Sequence, residues 1–139
     1  MRLLIDTHIF IWAVIDSNHL SEHARRILLD AAEVFVSAAS IWEIAIKAKL
    51  GKLEGDPRAF AAAIVESGFR ELGLSARHAC MVHELPLYHR DPFDRLLVAQ
   101  ALSEPFRLLT ADKQLAQYSE LIIRGIIYEY TKSCYYHSG

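Results

Sequence analysis

Short apolar runs alternate with amphipathic segments along almost the whole sequence, and this alternation restricts the fold more than any other feature. The runs that predict β-strands are Arg2–Ile5, Val34–Val36, Phe69–Leu72 and Arg107–Thr110, with an edge strand near Tyr128 and Tyr130. Segments with helical periodicity separate them. Because parallel strands need long crossover connections, the order strand, helix, strand is typical of parallel sheets. The sequence therefore predicts an α/β fold with a mostly parallel central sheet and helices on both faces.

The helices are marked by capping residues. Ser21 precedes an apolar stripe, and Asp56 and Asp91 each stand before a proline, an arrangement that places an acid at the N-cap and proline in the first turn. Gly51 is expected to end the longest helix of the first half. The predicted helices cover Thr7–Val14, Ser21–Asp30, Ser37–Leu50, Pro57–Val65, Ser75–Val82 and Phe93–Leu102, and a final short helix begins at Asp112.

The composition is that of a single globular domain. A chain of 139 residues is long enough to bury one core, and 53% hydrophobic residues are too many for a disordered chain. Charged residues interrupt the apolar runs too often for a membrane span. Residues 1–130 are predicted to form the domain. Residues 131–139 have no helical or strand period and are expected to be a flexible tail.

The protein is expected in the cytoplasm. The first residues, Met1–Asp6, contain an apolar run that an acid cuts short, which is not typical of a secretory signal. Cys80 and Cys134 lie far apart and lack the spacing of a structural zinc site or of a disulfide framework. This cysteine usage fits a reducing compartment.

The charge pattern limits how this chain would bind a nucleic acid. The net charge is −2, whereas proteins that hold duplexes through phosphate contacts usually have a marked basic excess. Any such affinity must therefore be local. The lysines grouped between residues 47 and 52 would supply it, but their grouping is explained equally well by a solvated helix face with Glu43 and Lys47 as an i,i+4 pair. The basic residues that are grouped are Lys47, Lys49 and Lys52, and then Arg90 and Arg95.

Four acidic residues are predicted to meet at one edge of the sheet. Asp6 directly follows the first strand, and Asp112 lies just beyond the strand that ends at Thr110. Glu43 lies one turn into the helix after the second strand, and Asp94 is in the first turn of the helix before the fourth strand. Ligands of open parallel sheets bind beyond the carboxyl ends of the strands. Asp6, Glu43, Asp94 and Asp112 are therefore the candidate site residues.

Each acid also has an explanation in terms of helix capping, because the helix dipole stabilises acids at helix N-termini. Asp6 and Asp112 stand where N-caps are expected, and Ser40 and Glu43 have the spacing of a capping box. Asp91 is interpreted as a helix cap, although its place in the site stays open. The set as a whole favours a site, because Asp6 and Glu43 have apolar neighbours and a buried unpaired charge costs much free energy.

A divalent cation would compensate these charges. Carboxylate oxygens suit Mg²⁺ and Mn²⁺, and Mg²⁺ usually takes only one or two carboxylates directly. We expect Asp6 and Asp94 to bind the metal directly, and Glu43 and Asp112 to act through metal-bound water or to orient the attacking water. Such a metal lowers the pKa of bound water and stabilises charge on a phosphoryl group. The predicted chemistry is therefore phosphodiester hydrolysis by water.

Five stretches together resemble the PIN-domain toxins of the VapC type. They lie in this order within residues 2–127: Leu4–His8, Ser40–Lys47, Leu50–Leu53, His89–Arg95 and Leu109–Asp112. The resemblance implies a PIN-like α/β/α sandwich for residues 1–130, a metal-dependent endoribonuclease that cleaves RNA, a homodimer, and neutralisation by a VapB-type antitoxin. It also implies that Asp6, Glu43, Asp94 and Asp112 are the acidic residues of the site.

Two other functions compete with this prediction. A signalling module that binds Mg²⁺ to accept a phosphoryl group would be expected to carry adjacent acids after its first strand, and Asp6 has no acidic neighbour. A nuclease directed at DNA would use the same carboxylates, and the motifs do not distinguish the two substrates.

Cysteine and histidine chemistry is not expected to contribute. Cys80 lies in an apolar helical pattern and is expected to be a buried structural cysteine. The seven histidines show no zinc spacing that cysteines support. His8 and His89 are therefore expected to pack or to lie behind the site residues.

The large apolar residues are interpreted mainly as core. Trp12 and Trp42 are expected to be buried rather than to stack on nucleic-acid bases. A group of apolar residues that fits either ordinary core or a groove for a partner helix or for the dimer consists of Leu50, Leu53 and Phe60.

Overall fold

The strands and helices of the computed structural model lie where the sequence predicts them, and the bounds of the first four strands and of helices α1–α6 differ by no more than one residue. The structure describes residues 1–104, 106–121 and 127–129. The strands are β1 (Arg2–Ile5), β2 (Glu33–Ser37), β3 (Arg70–Leu72), β4 (Arg107–Thr110) and β5 (Ile127–Glu129). The α-helices are α1 (Thr7–Val14), α2 (Glu22–Asp30), α3 (Ala38–Lys49), α4 (Pro57–Glu66), α5 (Ala76–Met81) and α6 (Pro92–Ser103), and 3-10 helices cover Val82–Glu84 and Lys113–Leu121.

All five described strands form one parallel sheet in the order β3-β2-β1-β4-β5. From β1 the chain moves outward to β2 and β3, and it then crosses back to place β4 on the other side of β1. The strand order therefore reverses between β1 and β4, which is where open sheets of this kind form a crevice for ligands.

The sheet is buried on both faces, which explains why its strands are continuous apolar runs. Leu3 and Ile5 of β1 face one core cluster and Leu4 faces the other. The first cluster is completed by side chains of α1, α2, α3 and α4, and the second by side chains of α6 and of the last 3-10 helix. The predicted α/β/α sandwich is thus confirmed.

Helix α3 begins at Ser37, as the sequence predicts, and not at Ser40, the serine of the alternative capping-box explanation. Ser37 is its N-cap, and the Ser37 hydroxyl accepts a hydrogen bond from the Ala39 N–H at 3.0 Å. Ser40 lies inside the helix, where its hydroxyl accepts a hydrogen bond from Thr7 at 2.9 Å. The capping-box explanation of Glu43 is therefore wrong, and the burial of this acid needs another reason.

The expectation of a buried Cys80 is also wrong. Cys80 is exposed on α5, where His78 is the buried residue. The predicted tail, residues 131–139, lies outside the described residues, as does Tyr130. Within the described ranges, no helix has both the length and the apolar character needed to cross a lipid bilayer.

Candidate functional site

The Asp6 carboxylate joins the carboxyl ends of the two central strands. Its Oδ1 accepts a hydrogen bond from the Ile9 N–H at 2.9 Å, so Asp6 is the N-cap of α1. Its Oδ2 accepts hydrogen bonds from the Thr110 hydroxyl at 2.7 Å and from the Ala111 N–H at 3.2 Å. The capping interpretation is therefore correct for Asp6. It does not exclude a further ligand, since each carboxylate oxygen has two lone pairs.

A cavity of about 500 Å³ opens beside Asp6, where the strand order reverses. Its lining residues are Asp6, His8, Trp12, Asp94, Ala111, Asp112 and Lys113. Three of the four predicted site residues therefore share one cavity, although they come from widely separated parts of the sequence.

His89 joins two of these acids. Its Nε2 lies 2.8 Å from Asp94 Oδ2 and 2.9 Å from Asp112 Oδ2. Its Nδ1 accepts a hydrogen bond from the Arg90 N–H at 3.0 Å, so the neutral ring carries its proton on Nε2. Each of the three side chains offers a ligand atom within 4.8 Å of the other two. His89 was expected to pack or to lie behind the site residues, and the structure places it in hydrogen-bond contact with both carboxylates.

Asp91 and Asp112 are also helix caps. Asp91 Oδ1 accepts hydrogen bonds from the N–H groups of Phe93 and Asp94, at 2.9 and 3.0 Å, and starts α6. Asp112 Oδ1 accepts a hydrogen bond from the Gln114 N–H at 2.9 Å. The capping interpretation of Asp91 is therefore confirmed. Asp6, Asp91 and Asp112 thus each cap a helix whose N-terminus lies near the cavity.

Glu43 is not among the residues that line the cavity. It lies in the second turn of α3 with 4% of its surface exposed, and its Oε2 forms an ion pair with Lys47 Nζ at 2.9 Å. Its buried Oε1 has no hydrogen-bond partner among the described residues. The neighbouring Trp42 ring contacts the Phe93 ring edge-on, with centroids 5.1 Å apart, so α3 meets α6 next to Asp94. An unpartnered buried carboxylate oxygen is unfavourable unless a water or a cation binds it.

The loop before α6 is held by a buried arginine. Arg95 donates hydrogen bonds to the carbonyl oxygens of Val82, Leu85, Pro86 and His89, at 2.9 to 3.4 Å. Arg95, which the sequence groups with Arg90 as a basic pair, is therefore not available to a nucleic acid: its side chain is buried and positions the loop that carries His89.

Tyr118, in the last 3-10 helix, supports the same loop. It is fully buried, its hydroxyl donates to the Pro86 carbonyl oxygen at 2.6 Å, and this hydroxyl accepts a hydrogen bond from the His89 N–H at 3.3 Å. The position of the His89 ring is thus fixed by hydrogen bonds to both its backbone and its side chain.

The surroundings of Asp6 and Asp94 destabilise the ionised forms of both acids. Burial raises the pKa of Asp6 above its ordinary value, although hydrogen bonds from Ile9 and Thr110 act in the opposite direction. Burial, and then repulsion by Asp91 and Asp6, raises the pKa of Asp94 to about 7. Both shifts mean that the ionised carboxylates are unfavourable here, which a divalent cation would reverse.

Two tryptophans lie nearer the surface than the sequence suggested. Trp12 is partly buried and lines the cavity, and Trp42 is 57% exposed. Of the residues proposed for an apolar groove, Phe60 is in the core, Leu53 packs against it, and Leu50 is 62% exposed. Trp12 lies one turn beyond His8 on α1, an i,i+4 spacing that places both rings on the face of the helix that borders the cavity.

Comparison with known proteins gives a consistent result. The profile of the family described as "PIN domain" matches residues 3–121 of this chain. Ribonuclease VapC22 of Mycobacterium tuberculosis (strain ATCC 25618 / H37Rv) is 29% identical over 115 residues, which are 81% of this chain and 88% of that protein.

Two solved structures have the same fold. One is VapBC2 from Rickettsia felis bound to a DNA fragment from the promoter, with a TM-score of 0.66, 17% identity, and coverage of 94% of this chain and 99% of the other. The second is a toxin-antitoxin complex from Klebsiella pneumoniae, with a TM-score of 0.61, 20% identity, and coverage of 92% and 99%. At these identities the structures support the fold alone. Together with the profile match over most of the sequence, they show that the chain belongs to the PIN domain family.

Proposed function

We propose that this chain is a metal-dependent endoribonuclease and the toxin of a toxin-antitoxin pair. The observation that carries the proposal is the convergence of Asp6, Asp94 and Asp112 on one cavity where the strand order of a PIN-family sheet reverses. Similarity to a protein named as a ribonuclease, over most of both chains, supports RNA as the substrate. Similarity in fold to two toxin-antitoxin complexes supports the pairing.

Mg²⁺ or Mn²⁺ is the cofactor that the donor set fits. The cavity offers carboxylate oxygens, which hard divalent cations prefer, and burial raises the pKa values of Asp6 and Asp94, so a bound cation would stabilise their ionised forms. We assign Asp6 and Asp94 as direct ligands, and Glu43 and Asp112 as acids that act through water. When bound, the metal would supply an activated water and stabilise charge on the phosphoryl group.

The protein's own residues would position the substrate and the acids. His89 donates from Nε2 to Asp94 and Asp112 and fixes the direction of both carboxylates. Thr110 does the same for Asp6 through its hydroxyl. Lys113 is the one lysine or arginine among the residues that line the cavity, and it can bind a phosphate oxygen of the substrate.

The test of the proposed activity is cleavage of a labelled single-stranded RNA by the purified chain. We expect cleavage in the presence of Mg²⁺ or Mn²⁺, loss of cleavage in EDTA, and little cleavage of a DNA of the same sequence. Because contaminating ribonucleases are common, an Asp94→Asn preparation made in the same way is the control. Cleavage undiminished by EDTA, or a preference for the DNA, would contradict the proposal.

The partner that we assign is a VapB-type antitoxin that covers an apolar stripe on α3. The stripe consists of Trp42, Ile46 and Leu50, which follow one another at i,i+4 spacing and are 57%, 38% and 62% exposed. Exposed apolar side chains at this spacing suit a helix or an extended segment of a partner. Since Trp42 contacts Phe93 beside Asp94, a partner on this stripe would also lie next to the cavity. We further propose a homodimer in the cytoplasm, where RNA and the antitoxin are available.

Ile46→Asp is expected to weaken binding of the co-expressed antitoxin at least about tenfold, because it places a charge in the middle of an apolar interface. The measurement is titration of tagged antitoxin into the purified chain. Leu29→Asp is the matched control, since Leu29 is an 83% exposed residue on α2, away from the stripe. Equal affinity of Ile46→Asp and Leu29→Asp would refute the assignment. Loss of the homodimer instead of antitoxin binding would show that a second copy covers the stripe.

A further inference from the structure

Three aromatic rings form a row on the outer surface of α1 and the turn that follows it. The His8 and Trp12 ring centroids are 5.8 Å apart and the planes are tilted by 43°. The Trp12 and His19 centroids are 5.5 Å apart, and these rings are stacked with an angle of 20° between their planes. His8 and His19 are exposed, and Trp12 is partly exposed.

The row begins inside the acidic cavity. His8 and Trp12 line the cavity together with Asp6, Asp94 and Asp112. The inner part of Trp12 packs against the core cluster of α1, which fixes the ring with respect to the acids. The Ser17 hydroxyl lies 3.0 Å from His19 Nδ1 and fixes the ring that stacks on Trp12. Because these rings are already held in place, they lose little further conformational freedom when a planar group stacks on them.

The charge of the cavity makes an uncharged source of affinity necessary. Among its lining residues are three carboxylates and one lysine, so a polyanionic substrate meets net repulsion until a metal binds. Stacking of bases on aromatic side chains does not depend on charge, and every base has a face for it. It requires bases that are not paired in a duplex, because the faces of paired bases are covered by their stacked neighbours.

We propose that His8 and Trp12 are a stacking platform for an unpaired base of the RNA next to the cleaved phosphodiester, and that His19 supports the Trp12 ring from behind. This inference rests on the proposed ribonuclease function and adds a substrate-binding surface to it. The base lies on α1, on one side of the acids, while Lys113 binds a phosphate at the start of the last 3-10 helix. The chain therefore selects single-stranded RNA or loops over duplex RNA.

Tryptophan fluorescence tests the platform directly. The chain has two tryptophans, so Trp42→Phe leaves Trp12 as the single reporter, and Trp12→Phe leaves Trp42. Both variants carry Asp94→Asn to prevent cleavage and are titrated with a dye-labelled single-stranded RNA whose anisotropy records binding independently. We expect binding to quench Trp12 emission strongly and Trp42 emission less. Unchanged Trp12 emission at RNA concentrations that saturate the anisotropy signal would overturn the proposal.

Kinetics of the metal-loaded chain provide the second readout. Trp12→Leu keeps an apolar side chain against the core and removes the aromatic face, whereas Trp12→Phe keeps a face. Trp12→Leu is expected to raise KM for RNA about tenfold with little change in kcat, and Trp12→Phe much less. Thermal unfolding checks that both variants are folded. An unchanged KM for Trp12→Leu would overturn the platform and leave the ribonuclease function intact, whereas wild-type protein that neither binds nor cleaves RNA would overturn both.

Discussion

Replacement of Asp94 by asparagine is expected to lower the rate of metal-dependent RNA cleavage by at least about a thousandfold. The change preserves the size of the side chain and removes the negative charge that would stabilise a cation among Asp94, Asp6 and Asp112. Asparagine still accepts the hydrogen bond from His89 Nε2, which is 2.8 Å from Asp94 Oδ2 in the wild type. The measurement is the single-turnover cleavage rate at saturating Mg²⁺ or Mn²⁺.

Asp91→Asn is the matched control for this variant. It changes the net charge equally, in the same turn of α6, and asparagine caps helices as well as aspartate does. The hydrogen bonds from Phe93 and Asp94 to Oδ1 are therefore expected to persist. Most of the activity should remain. An equal loss in the two variants would contradict a specific role for Asp94 and would place Asp91 in the site.

Asp94→Asn is also expected to make the metal-free protein more stable than the wild type at pH 8. The pKa of Asp94 is about 7 in the folded chain, against 3.8 without the fold. As the pH rises from about 4 to about 7, the unfolded chain releases this proton first, so the wild type loses more stability over this interval than the variant, in which the raised pKa of Asp6 still acts but that of Asp94 is absent. Thermal unfolding in EDTA across this pH range measures the difference. Equal pH dependence in both proteins would contradict the shift.

Arg95→Met is expected to destabilise the fold by about 2–4 kcal/mol. Methionine fills much of the space but donates no hydrogen bond, so the carbonyl oxygens of Val82, Leu85, Pro86 and His89 lose a shared partner inside the protein. The carbonyl oxygens of Val82 and Pro86 keep the Leu85 N–H and the Tyr118 hydroxyl as donors, so the free-energy cost falls mainly on those of Leu85 and His89. Urea unfolding of the metal-free protein measures the change.

Two further variants show whether the geometry of the arginine is responsible. Arg95→Lys is expected to recover little stability, because an ammonium group lacks the planar fork that reaches several carbonyl oxygens at once. Arg90→Met, at an exposed position in the same region, is expected to change stability by less than about 0.5 kcal/mol. Full stability of Arg95→Lys would show that positive charge alone holds the loop.

Most of the architecture follows from local features of the sequence. The strands β1 and β4 are apolar runs because both faces of a parallel sheet are buried. Asp56 and Asp91 were predicted as N-caps, and in the structure their side chains accept hydrogen bonds from the first backbone N–H groups of α4 and α6. Asp6 and Asp112 were predictable as site candidates because they follow strands whose carboxyl ends meet at one edge.

The details that the sequence did not reveal depend on contacts between distant segments. Arg95 lies near the start of a predicted helix, and the course of the preceding loop, which local sequence does not reveal, buries its guanidinium. His89 is one of seven histidines, and its contact with Asp94 and Asp112 requires Tyr118 and Arg95 to hold its backbone. Trp12 was interpreted as core because apolar spacing does not distinguish a fully buried ring from one at the rim of a cavity.

The hydrogen bonds from Thr110 and Ala111 to Asp6 span more than a hundred residues of sequence. A chain that is still being synthesised contains Asp6 long before β4 and Asp112 have been added. Helix α3 is formed from residues that leave the ribosome long before then. A partner that binds the α3 stripe would therefore reach the nascent chain before its cluster of acids exists, and no active nuclease need ever be released.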